Sequence, residues 1–62
     1  MFHISQSIDG NTVTFSANDP AADLWMRAVY YDQHTVTFRL PNEVEAVKAF
    51  RTGAEENGFT VG

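Results

Sequence analysis

Asp9-Gly10-Asn11 separates two stretches in which apolar and polar residues alternate, and no other feature constrains this fold as tightly. Before it, Phe2, Ile4 and Ile8 share one side and His3, Ser5 and Ser7 the other, with Gln6 interrupting the apolar side. After it, Val13 and Phe15 alternate with Thr12, Thr14 and Ser16. A period of two marks a half-buried strand. Gly and Asn accept the positive φ that tight turns need, so the segment reads as a β-hairpin. Parity narrows the loop. A two-residue loop at Asp9-Gly10 sets Ile8 opposite Asn11 and Ile4 opposite Phe15, whereas a four-residue loop sets Ile8 opposite Val13. Both keep the apolar residues on one face, and a three-residue loop would split them.

The period then changes. Asp19 is a good N-cap, Pro20 suits the first helical position, and Asp23 places negative charge in the first turn. Ala21, Leu24, Trp25, Ala28 and Tyr31 form the expected core stripe of a helix over 20–31, with Ala22 and Val29 at its edge. A competing reading makes Val29-Tyr30-Tyr31 a strand, hairpinned through Asp32-Gln33. The helix is preferred because its start signal is specific and that strand would be short. Residues 34–40 read as a strand with Val36, Phe38 and Leu40 inward.

A second helix follows Pro41. Asn42 is its expected cap, and Glu45 stands where a capping box needs it. Val44, Val47, Phe50 and Ala54 make its apolar face, flanked by Ala46, with Glu45, Lys48, Thr52, Glu55 and Glu56 opposite. Gly53 costs about 1 kcal/mol relative to Ala in a helix, which points to close packing or an early end. Asn57-Gly58 is a left-handed stop, and Phe59-Thr60-Val61 a short closing strand.

Thr12-Val13-Thr14-Phe15 recurs as Thr35-Val36-Thr37-Phe38, and the same offset maps Asp19 onto Asn42. Two strand-cap-helix units therefore run in series. The expected fold is a single α+β domain over 1–62 in the order β-β-α-β-α-β. It is a two-layer sandwich with two helices on one face of a four-stranded mixed sheet. Short strand-helix-strand connections predict parallel strands. The other sheet face would carry Thr12, Thr14, Ser16, Thr35, Thr37 and Arg39.

A chain of 62 residues buries a limited core, and this one has no cysteine for disulfides or thiolate metal sites. His3 and His34, the only histidines, have no ligand-like spacing, so no metal or other cofactor is expected. The net charge is −4, with acids spread over Asp9, Asp19, Asp23, Asp32, Glu43, Glu45, Glu55 and Glu56 against Arg27, Arg39, Lys48 and Arg51. That balance argues against nucleic acid, whose phosphates are bound by basic clusters. Both strand-to-helix turns lack Gly and carry acids, which excludes a phosphate cradle. No run approaches the ~20 apolar residues of a membrane span. The first residues lack a signal-peptide layout, so a cytoplasmic location is expected.

Catalysis has weak candidates. Asp32 and His34 are close in sequence, and His3 shares a strand face with Ser5 and Ser7, but neither pair has a third orienting group. The more informative pattern is the first helix, which is apolar nearly all round. A wheel places Asp23, Met26, Arg27 and Tyr30 away from the expected core stripe. Tyr, Met and Arg are enriched at interfaces, and contiguous exposed apolar surface marks binding sites. The expectation is a small non-catalytic protein that binds a protein partner through these four residues, as a stoichiometric regulator or inhibitor of the size phages and plasmids encode. The alternative is a homo-oligomer, a homodimer in the simplest case, that binds a small ligand between subunits.

Overall fold

The computed structural model describes residues 2–62. Gly10 has φ +60 and opens the two-residue loop Gly10-Asn11, the position a type II′ hairpin turn reserves for glycine. The loop joins β1 (His3–Asp9) to β2 (Thr12–Ala17), which pair antiparallel with Ile8 opposite Val13 and Ile4 opposite Ala17. Of the two registers that parity allows, the chain takes the one that aligns Ile8 with Val13. Asp9 and Thr12 close the ladder, so the loop lies one residue later than Asp9-Gly10.

Asp19 caps α1 (Pro20–Val29), its Oδ1 accepting the Ala22 N–H at 2.9 Å. The Oδ2 atom accepts the His3 N–H at 2.9 Å, so one carboxylate ties the helix start to the first strand. These amide hydrogen bonds, that of Ala22 first, hold the Asp19 carboxyl below its ordinary pKa. The helix reading of residues 24–29 therefore holds, and the helix stops two residues short of 31.

β3 (Thr35–Arg39) lies beside β2, antiparallel, with Phe15 opposite Val36 and Val13 opposite Phe38. This corrects the parallel arrangement expected from a short strand-helix-strand connection. The reason is geometric. Ten helical residues advance about 15 Å, and the chain then reverses at Tyr31 and Asp32, with φ of 54 and 65. It re-enters the sheet at the end it left, where the Ala17 N–H donates to the His34 carbonyl at 3.1 Å.

α2 (Val44–Glu56) carries the chain across the sheet to β4 (Thr60–Val61), which pairs parallel with β1. The strand order is β3-β2-β1-β4, so the mixed sheet and two helices stand in the expected α+β order. Asn42 does not cap α2. The helix begins after Glu43, whose carboxylate reaches back to the Arg39 N–H while its own N–H donates to the Arg39 carbonyl at 2.8 Å. A turn fastened to the end of β3 thus replaces the expected capping box.

One core fills the space between sheet and helices: Ile4, Val13, Phe15 and Phe38 from the strands, Ala22, Met26, Phe50 and Ala54 from the helices, and Phe59. The Phe50 ring stacks on Phe15 with centroids 4.2 Å apart. Trp25 packs across Phe50 and Phe59 at 5.6 and 5.5 Å. Gly53 faces the Trp25 ring. A Cβ there would lie 3.5 Å from Cζ2, an ordinary contact, so the helix passes through Gly53 without interruption. Gln6, which breaks the apolar pattern of β1, accepts a hydrogen bond from Arg51, whose guanidinium stands 6.0 Å over the Phe15 ring. On the far sheet face, Thr14 and Thr37 hydroxyls meet at 3.2 Å, and Ser16 and Thr35 at 3.4 Å.

Candidate functional site on the outer side of the first helix

The first helix is turned about a third of a turn from the expected orientation. Met26 is fully buried and Tyr30 packs against Trp25 and Phe50, at 6.2 and 5.4 Å, so neither faces outward. Burial raises the Tyr30 hydroxyl above its ordinary pKa. Leu24, Ala28 and Tyr31, expected inside, face solvent, with Leu24 72% and Tyr31 93% exposed. Asp23 and Arg27 mark an outward side, but apolar residues flank them on both sides, Leu24 on one and Met26 on the other, and local pattern does not rank those flanks. A ring of aromatic contacts chose. Only with Trp25 over Gly53 and Phe50 does Met26 fall into the gap above the sheet.

Asp23 and Arg27 remain at the surface, and Arg27 organises it. Its Nε–H is shared between both Asp23 oxygens at 3.1 and 3.0 Å, a bifurcated hydrogen bond between residues one helical turn apart. Nη1 donates to the Asp32 carbonyl at 3.1 Å and to its carboxylate at 3.3 Å, and Nη2 lies 3.4 Å from His34 Nδ1. The hydrogen bond with Asp23, then that with Asp32, raises the guanidinium pKa further. The role of this network is mechanical. A left-handed backbone costs a non-glycine residue roughly 1–2 kcal/mol, and Tyr31 and Asp32 adopt it consecutively. Arg27 clasps the carbonyl that follows the bend. The Asp32 N–H donates to the Arg27 carbonyl at 2.8 Å, and the Gln33 N–H to that of Tyr30 at 3.1 Å. With Asp32 pinned from both sides, the Tyr31 side chain is held outward.

Below the bend, Arg27, Asp32, Gln33, His34 and Thr35 line an open depression of about 350 Å³. Its single cation is already neutralised by two carboxylates, which leaves no charge to hold an anion. His34 faces the guanidinium and has no hydroxyl partner, and His3 Nδ1 pairs with Thr60 Oγ1 at 3.1 Å. Ser5 accepts from Asn18 at 2.5 Å rather than meeting His3. Among the described residues no group of three metal-ligating side chains forms, and no helix is long and apolar enough to cross a membrane.

Of the four residues read from the sequence, the fold therefore keeps Asp23 and Arg27 together at the surface and withdraws Met26 and Tyr30. It adds Leu24, Tyr31 and the bend before β3. Nothing in the sequence marked Tyr31 as the left-handed residue, since a bulky aromatic is an uncommon choice there. No family model matches the chain, and no curated protein or solved structure matches it significantly.

Proposed function

We propose that this chain is a small non-catalytic binding protein that engages a protein partner through the outer side of α1 and the bend that follows. The observations that carry this reading are two exposed apolar side chains, Leu24 on the helix and Tyr31 at the bend, and the Asp23–Arg27–Asp32 network that ties helix to bend. An interface needs an apolar centre with a polar border, and aromatic anchors contribute most when held rigid. Backbone strain retained at an exposed residue is a further pointer to function. The reading accords with the dispersed charge, which offers no basic surface for nucleic acid. A stoichiometric regulator or inhibitor is the function such a surface serves.

The test is affinity capture from the source cell followed by variants of the isolated pair. One partner recovered at near-equal stoichiometry should lose at least tenfold in affinity with Leu24→Glu and with Tyr31→Ala. Ile8→Glu, which changes another exposed apolar residue, near the hairpin tip, should leave affinity unchanged. Equal binding by all three variants would overturn the assignment of this surface.

A further inference from the structure

We propose that the open edge of β3 pairs with the same edge of a second copy. The two strands run antiparallel about a two-fold axis at Val36 and join the two sheets into one. In an antiparallel ladder the N–H and C=O of one residue point to the same side, and successive residues alternate. The Ala17 N–H donates to the His34 carbonyl at 3.1 Å, and the Leu40 N–H to the Asn11 carbonyl at 2.7 Å. Residues 34, 36, 38 and 40 therefore turn their main-chain groups to β2, and Thr35, Thr37 and Arg39 turn theirs outward.

Glu43 occupies both groups of Arg39. Thr35 and Thr37 are exposed, and among the described residues their main-chain groups have no partner. Proteins usually protect such an edge with a charge, a proline or a covering element. Thr35-Val36-Thr37-Phe38 has neither charge nor proline.

The free groups match themselves in one register. With Val36 opposite Val36, Thr35 of each copy faces Thr37 of the other, and each facing pair exchanges both hydrogen bonds. Centring the pair on Thr37 would need the Arg39 groups that Glu43 holds. Centring it on Thr35 would need Gln33, whose N–H already donates to Tyr30. The ladder thus begins and ends where free groups begin and end.

A second copy is also the occupant that the chain itself demonstrates. On its inner side β3 already pairs antiparallel with Thr12-Val13-Thr14-Phe15, the same four residues, setting Val13 against Phe38 and Phe15 against Val36. Charge does not oppose it. At each end of an antiparallel pair Arg39, with the Glu43 carboxylate on its N–H, comes near the Asp32 that Arg27 already holds, so no uncompensated like charges face each other across the pair. The opposite sheet edge does not offer this. There β4 covers His3 and Ile4, and the Gly62 N–H donates to the Ile4 carbonyl. A strand laid antiparallel along Gln6 and Ile8 would run into Gly62.

Sedimentation equilibrium from micromolar to millimolar protein, with amide hydrogen exchange on the same samples, tests the pairing. The expected result is a mass that rises from 6.9 kDa toward twice that value. Thr35 and Thr37 amides should slow as the dimer forms, while Val36 and Phe38 stay slow throughout. Thr37→Pro removes an outward N–H without touching the β2 ladder, and should hold the mass at 6.9 kDa. Leu24→Glu should leave the dimer intact, which separates this inference from the function proposed for α1. A monomer at every concentration with fast Thr35 and Thr37 amides would overturn the proposal. So would a dimer that protects Gln6 and Ile8, or neither edge. If Thr37→Pro fails to fold, the wild-type amide pattern alone decides.

Discussion

The two strand-cap-helix units begin with the same four residues and end differently. Thr-Val-Thr-Phe opens each, and the two copies lie side by side in the sheet with Thr14 opposite Thr37. After β2 the chain caps its helix with a side chain, Asp19. After β3 the Glu43 carboxylate goes to the strand and the helix begins without a side-chain cap. The helices differ as well. α2 carries charged residues along a whole side, and its buried face, Phe50 and Ala54 with Val47 beside them, is the expected one. α1 is amphipathic as well, but its charged side is narrow, Asp23 and Arg27 alone, with apolar residues on both flanks, and its exact rotation followed from its neighbours. A broad charged side specifies a helix's orientation closely; a narrow one flanked by apolar residues leaves the exact rotation to tertiary packing.

Swapping the polarity of α1 on one side or the other should sharpen this comparison most. Met26→Glu places a charge in the centre of the core and should abolish folding, since an unpaired buried charge costs several kcal/mol and small domains have little stability to lose. Leu24→Glu should leave the melting temperature within a few degrees of wild type. The opposite ranking in a thermal melt would mean that α1 is oriented as its sequence pattern implied.

The caps give a smaller contrast. Asp19→Ala should lower the melting temperature by several degrees, because the Ala22 and His3 amides both lose an acceptor. Asn42→Ala should leave it nearly unchanged. Acid should mimic the first variant. The folded-state pKa of Asp19 is lowered, so its contribution is complete above the ordinary carboxylate value and fades as pH falls through the lowered one. Melts between neutral and strongly acidic pH should show wild type converging on Asp19→Ala. Parallel curves would mean that the carboxylate is not the cap.

Gly53→Ala is the mildest change. A Cβ at this position meets only the Trp25 ring at an ordinary distance, so the gain in helix propensity should raise stability by up to about 1 kcal/mol. Destabilisation would show that Trp25 needs the bare backbone and that the two helices are packed more tightly than the ring contact implies.

Much of this protein is written in short-range pattern. Alternation around Gly10 defines the hairpin, Asp19-Pro20 the first helix start, and the spacing of Val44, Val47, Phe50 and Ala54 both the second helix and its buried face. These depend on bonding between near neighbours and on one-sided burial, which residue order encodes directly. The site was only half legible for the same reason. Asp23 and Arg27 are one turn apart and pair within the helix, whereas the inward turn of Met26 and Tyr30 depends on aromatic rings far along the chain, in Phe50 and Phe59. Tertiary structure alone decided that β3 runs antiparallel to β2, that Leu24 and Tyr31 face solvent, and that Glu43 closes the edge of β3 at Arg39 while Thr35 and Thr37 stay open. Each follows from where the chain must re-enter a sheet already formed and from which rings fill the space above it. Those are constraints between distant residues, and local order does not carry them.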